Sequence, residues 1–136
     1  MSLTVDNICS KNIVTVKYGC NVKSAAQIMA QHKISSVVVL KEKVAAGIVT
    51  ERDMVQKIIA NGLPPEKTKV EAIMSKPLIA VKPTTTIREA AILMKNRRIK
   101  KVLVVDGKKI AGILSETDIL AAYPSIKVVA KKKSKS

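Results

Sequence analysis

Shifted by 65 residues against itself, this chain pairs residues 6–55 with 71–120 without a gap, and 17 of the 50 positions are identical. The identities run the whole length of the segment: Ile8/Ile73, Ser10/Ser75, Val16/Val81, Ala25/Ala90, Met29/Met94, Ile34/Ile99, Gly47/Gly112 and Asp53/Asp118. A long period that occurs twice points to a fused pair, because a solenoid needs at least three shorter repeats. Each copy is too small to bury much surface by itself, so the two are expected to pack as a pseudo-twofold pair. With 47% hydrophobic residues the chain has the material for that core.

Both copies spell the same order of elements. A short capped turn leads into an extended stretch, residues 13–17 and 78–82, rich in β-branched side chains. Val22, Ala25, Ala26 and Met29 then fall at i, i+3, i+4 and i+7, as do Ile87, Ala90, Ala91 and Met94, predicting one amphipathic helix per copy. Thr86 followed three residues later by Glu89 is a capping box for the second of them. Strands are predicted over 37–40 and 45–49, and over 102–105 and 110–114, with Asp106-Gly107 as a hairpin turn. A last helix starts near Thr50 or Ser115, and the first of these stops at Asn61-Gly62. The expected fold is α+β, β-α-β-β-α twice: repeat one over 1–63, a linker over 64–69, repeat two over 70–125 and a basic tail over 126–136.

Composition removes several function classes. No apolar run approaches the roughly 20 residues of a membrane span, and Met1 is not followed by a signal segment, so a cytoplasmic protein is expected. Cys9 and Cys20 lack metal-ligand spacing and suit a reducing compartment, and His32 is the only histidine, so no metal site is expected. There is no nucleophile beside a base and no phosphate loop, while Glu51/Asp53 and Glu116/Asp118 stand two apart and cannot face each other as acid and base. The expectation is a non-enzyme without a catalytic cofactor.

The net charge is +15, of which five positive charges lie in the tail at Lys127, Lys131, Lys132, Lys133 and Lys135. Such a tail is expected to be disordered and to attract nucleic acid weakly and without sequence preference. Tyr18 and Tyr123 are the only aromatic residues, so no platform exists for stacking successive bases.

The segments Gly47-Ile-Val-Thr50-Glu-Arg-Asp53 and Gly112-Ile-Leu-Ser115-Glu-Thr-Asp118, behind the apolar strands 36–40 and 101–106, resemble the Gly-h-h-Ser/Thr-x-x-Asp signature of the CBS domain family. The whole chain apart from its tail is similar to one tandem CBS pair. Physically, the glycine would let a ligand approach the backbone, the hydroxyl stands at a helix N-terminus suited to phosphate, and the acid can accept two hydrogen bonds from a ribose. The same spacing is also an ordinary N-cap, in which the acid curls back onto its own amides.

The resemblance implies a regulatory, energy-sensing module that binds an adenosine nucleotide (AMP, ADP or ATP) in the cleft between the repeats. By position it implies one site at Asp118, Ser115 and Ile113 with Ser10 and Thr15, and a second at Asp53, Thr50 and Ile48 with Ser75 and Ala80. Phosphates would meet Lys100 and Lys101 in copy two, where copy one has Ser35 and Ser36. One such lysine is worth about 1.5–3 kcal/mol, so the Asp118 site is expected to be the stronger. The resemblance also implies a homodimer and a separate regulated partner protein. Two other readings are a nucleic-acid-associated basic protein and a structural dimerisation module without ligand.

Overall fold

The computed structural model describes residues 3–76 and 78–123. The chain divides into two compact units whose limits are offset from the repeats read along the sequence. One, here the Asp53 unit, is continuous over residues 13–78; the other, the Asp118 unit, joins residues 3–12 to 79–123. The basic tail lies outside the described residues.

In the Asp53 unit, β1 (Thr15–Lys17) runs parallel to β2 (Ser36–Lys41), and α2 (Val22–His32) makes the crossover between them. Parallel neighbours require such a crossover, and the Val22, Ala25 and Met29 stripe supplies the buried face. The strand β3 (Val44–Thr50) returns antiparallel to β2. The extended stretch before β2 is shorter than the sequence predicts, although the Val14 carbonyl still accepts from the Val38 N–H. After β3 the chain enters α3 (Glu51–Asp53), which continues as a π-helical segment over Met54–Ile59.

The Asp118 unit repeats this plan. It opens with α1 (Val5–Ile8), and its sheet has the order β4 (Ala80–Val81), β5 (Lys101–Asp106) and β6 (Lys109–Ser115). The helix α4 (Ile87–Arg97) connects the parallel pair, and α5 (Glu116–Ala122) follows β6. Thr86 and Glu89 form the expected capping box, with Glu89 Oε1 accepting from the Thr86 N–H at 2.9 Å. The hairpin turns differ between units. Gly107 takes a left-handed φ of 62° without strain, whereas Glu42 and Lys43 hold φ of 50° and 68° with side chains present.

Packing explains the offset between repeats and units. Val70, Ile73 and Met74, which open the second repeat, are buried in the core of the Asp53 unit with Val16, Val37 and Val49. Val5 and Cys9, which open the first repeat, are buried in the core of the Asp118 unit with Val102, Val104 and Leu114. Backbone pairing seals both arrangements: Ser75 exchanges N–H···O bonds with Ile48 at 2.8 and 3.2 Å, and Ser10 does so with Ile113 at 2.9 and 3.0 Å. Each repeat therefore donates its leading segment to the sheet edge of the other unit.

Candidate functional site

Each strand-to-helix junction begins at a glycine. An added Cβ on Gly47 would meet Met74 Sδ at 2.6 Å and the Ser75 carbonyl at 3.0 Å; on Gly112 it would meet Cys9 Sγ at 2.6 Å and the Ser10 carbonyl at 2.8 Å. The sequence reading reserved that open face for a ligand. In the structure the chain's own donated segment occupies it, so these glycines serve close backbone packing.

Beyond the glycines, Ile48 and Ile113 are buried, and the main-chain groups of both are engaged by Ser75 and Ser10. The next elements are the caps. Thr50 Oγ1 accepts from the Asp53 N–H at 3.1 Å, while Asp53 Oδ2 accepts from the Thr50 N–H at 2.9 Å and from Thr50 Oγ1 at 3.1 Å. In the other unit, Ser115 Oγ accepts from the Asp118 N–H at 3.0 Å, and Asp118 Oδ2 accepts from the Ser115 N–H at 2.8 Å. Both acids thus turn one oxygen inward, because an N-terminal helix amide without an intrahelical partner is the nearest donor.

The second oxygen separates the two acids. Asp53 Oδ1 is 3.0 Å from Lys57 Nζ and accepts from Ser75 Oγ at 3.3 Å, so both oxygens of this buried carboxylate are in use. Asp118 is half-buried, and its Oδ1 has no hydrogen-bond partner among the described residues. One substitution between copies accounts for the missing ion pair: Lys57, four residues after Asp53, corresponds to Ala122, whereas Ser75 has an identical counterpart in Ser10. Lys57 also donates to the Ile73 carbonyl at 2.8 Å, tying the donated segment to the helix. Sequence reasoning passed over this residue, although its i+4 spacing from Asp53 was the available signal.

The cationic positions stand next to the strand-to-helix junction. The Lys100 carbonyl accepts the Glu116 N–H at 2.9 Å, as the Ser35 carbonyl accepts that of Glu51 at 3.0 Å. Lys101 is paired across the sheet with Ser115, and the buried Ser36 with Thr50. Asp118, Ser115, Ile113, Ser10, Lys100 and Lys101 consequently share one unit; Asp53, Thr50, Ile48, Ser75 and Ser35 share the other. Thr15, on β1, belongs to the Asp53 unit and is not in the unit of Asp118. Ala80, on β4, belongs to the Asp118 unit and is likewise not in the unit of Asp53.

The two cysteines show no sign of activation. Burial pushes the Cys9 thiol up from its ordinary pKa, against an opposing pull from Lys11, and burial raises Cys20 as well. His32 is exposed at the end of α2. Among the described residues no cluster of three or more His, Cys, Asp or Glu could hold a metal ion, and no helix is long and apolar enough to cross a membrane.

Two β-α-β-β-α units, each ending in a glycine-led strand that turns into a hydroxyl-capped, acid-bearing helix, define a tandem-repeat α+β fold. The CBS domain family matches residues 5–60 and again 70–125, and the chain belongs to that family. Similar proteins include CBSX3, a mitochondrial CBS domain-containing protein of Arabidopsis thaliana, 38% identical over 74% of this chain and 52% of its own length. An uncharacterized protein of Methanopyrus kandleri is 34% identical over 90% of this chain and 64% of its own. The chain therefore spans between about half and two thirds of the length of these relatives. Among solved structures, a hexameric CBS-CP12 protein from bloom-forming cyanobacteria superposes with a TM-score of 0.86 at 32% identity, over 93% of this chain and 75% of that one. An uncharacterized conserved protein from Pyrococcus horikoshii gives 0.81 at 30% identity, over 90% and 92%.

Proposed function

We propose that this CBS pair is a non-enzymatic regulatory module that binds an adenosine nucleotide through the Asp118 motif. The observation that carries this reading is the Oδ1 of Asp118, without a hydrogen-bond partner among the described residues, beside a helix N-terminus in the same unit as Lys100 and Lys101. That oxygen can accept from the vicinal hydroxyls of a ribose while Oδ2 keeps the helix capped, so binding does not dismantle the cap. Lys100 and Lys101 supply positive charge for the phosphates, and Ile113 would meet the base. Few aromatic residues are present to grip a purine, which fits an affinity near the micromolar range, about −8 kcal/mol.

At Asp53 the observations favour a structural role, since Lys57 and Ser75 already satisfy the second oxygen. Self-association is in keeping with the hexameric assembly named for the CBS-CP12 protein, and a homodimer is our reading for this chain. The signal would pass to a separate protein. Calorimetry with AMP, ADP, ATP, NAD and S-adenosylmethionine tests the proposal directly. One nucleotide binding near micromolar Kd is expected, and heat from none of them would leave a purely structural module.

A further inference from the structure

One movable side chain closes the Asp53 motif. Asp53 Oδ1 lies 3.0 Å from Lys57 Nζ and accepts from Ser75 Oγ at 3.3 Å, and the same ammonium donates to the Ile73 carbonyl at 2.8 Å. The side chain of Asp53 is 8% exposed and that of Lys57 42%, so the lysine can swing to solvent while the acid stays in place. A buried carboxylate needs its lone pairs filled, and the ammonium stands where sugar hydroxyls would otherwise donate.

The other copy shows that the junction folds without this closure. Asp118 caps α5 through Oδ2 in the same way, yet Ala122 stands where Lys57 does. Ser10, the counterpart of Ser75, accepts instead from the Asn12 N–H at 3.3 Å. The helices differ as well. Glu116–Ala122 is wound as an α-helix, whereas Met54–Ile59 is π-helical, with the Ala60 N–H on the Val55 carbonyl at 2.9 Å and the Leu63 N–H on that of Ile58 at 3.0 Å. A π turn is a rare winding that recurs at functional positions, and this one carries the lysine.

Resting on the nucleotide reading of the motif, we infer that Lys57 is a lock: it fills a second adenosine-binding motif from within and so sets how many nucleotides the chain holds. With Lys57 withdrawn, Asp53 Oδ1 loses its charged partner and keeps only the long bond from Ser75, a deficit that ribose hydroxyls make good. Ser35 and Ser36 stand where the other copy has Lys100 and Lys101, so the opened site fits the nucleoside end of a ligand and gains little from added phosphates. A lock closed about nine-tenths of the time or more weakens the apparent affinity about tenfold or more.

Calorimetric titration of AMP, ATP and adenosine into the full chain and into its Lys57→Met variant counts the sites. The variant is expected to gain one site per chain, with AMP and adenosine within about threefold of each other there, and to lose it again when Asp53→Ala is added. Equal numbers of sites in the two proteins overturn the inference, as do two sites already open in the unaltered chain or a gained site that survives Asp53→Ala. The proposal for Asp118 is judged separately by the same counts. One site in both proteins leaves it standing while the lock falls; none in the unaltered chain and one in the variant keeps the lock and removes Asp118 as the binding site. Heat from no ligand with either protein defeats both. Lys57→Gln, whose amide can still donate to the Ile73 carbonyl, repeats the count if the methionine variant does not fold.

Discussion

Asp53 and Asp118 occupy the same place in two copies of one motif, cap their helices with the same oxygen, and diverge at the other. Asp53 is closed in by Lys57 and Ser75, whereas Asp118 keeps its Oδ1 unengaged among the described residues. Both copies keep the oxygen that caps the junction, while the second oxygen is held only at Asp53 among the described residues. The lesson is that a motif match predicts the cap in both copies, but only the surroundings of the second oxygen separate the proposed binding site from a brace.

The largest effect should come from cutting each acid in turn. Asp118→Ala is expected to weaken nucleotide binding about 100-fold, near 2.7 kcal/mol, because charge-assisted hydrogen bonds to the ribose are lost. Asp53→Ala should leave that affinity nearly unchanged but lower stability by about 2–3 kcal/mol, since a cap, an ion pair and a buried hydrogen bond go together. Asp118→Ala should cost only about 1 kcal/mol of stability. Calorimetry and urea unfolding of the two variants would collapse the distinction if both quantities fell together in each.

The glycines sharpen the same contrast. Gly112→Ala drives a Cβ onto the Ser10 carbonyl and should cost about 3 kcal/mol; Gly47→Ala, whose nearest obstacle is the flexible Met74 side chain, should cost about 1 kcal/mol. Thermal unfolding of the pair would show whether the two junctions are equally tight.

Transplanting the brace is a milder intervention. Ala122→Lys places an ammonium four residues after Asp118, as Lys57 stands after Asp53. Stability should rise by about 0.3–0.5 kcal/mol, and nucleotide affinity should drop a few-fold as the lysine competes for Oδ1. An affinity that stays level would mean that the second oxygen does not govern binding.

The smallest effect concerns pH. Hydrogen bonds from Thr86, backbone first and then side chain, hold the Glu89 carboxyl below its ordinary pKa. A carboxyl lowered in the folded state stabilises above its unfolded pKa, and that contribution disappears as pH falls through the folded value. The equivalent helix α2 is capped by Asn21 Oδ1, which accepts from Ser24 N–H and does not titrate. Acidification should therefore loosen the first turn of α4 before that of α2, visible in the exchange rates of the Thr86 and Asn21 amides. Equal loosening would remove the carboxylate from the explanation.

The element order, both crossover helices and the Thr86–Glu89 box were legible because hydrophobic period and cap chemistry are local properties. The exchange of leading segments was not. Val5 and Val70 are identical and sit at equivalent positions, so periodicity says that each is buried without saying in which core. The π-helical turn after Asp53 also escaped, since the Ala60 N–H reaches the Val55 carbonyl five residues back through no motif visible in Met54–Ile59. Of the candidate site, the capping residues of both junctions and the charge difference at Lys100 and Lys101 were readable. The role of Lys57, and the filling of the space over both glycines, depended on chain segments brought together from a distance.

The donated segments also impose a timetable on the nascent chain. The Asp53 unit is an uninterrupted stretch inserted within the Asp118 unit, so everything it needs has been synthesised by residue 78. Val5 and Cys9, made before any of the Asp53 unit, must wait for β5 and β6 before they find their places. The braced half can thus form during translation. The half proposed to bind nucleotide is completed later, when residues 3–12 meet β5 and β6.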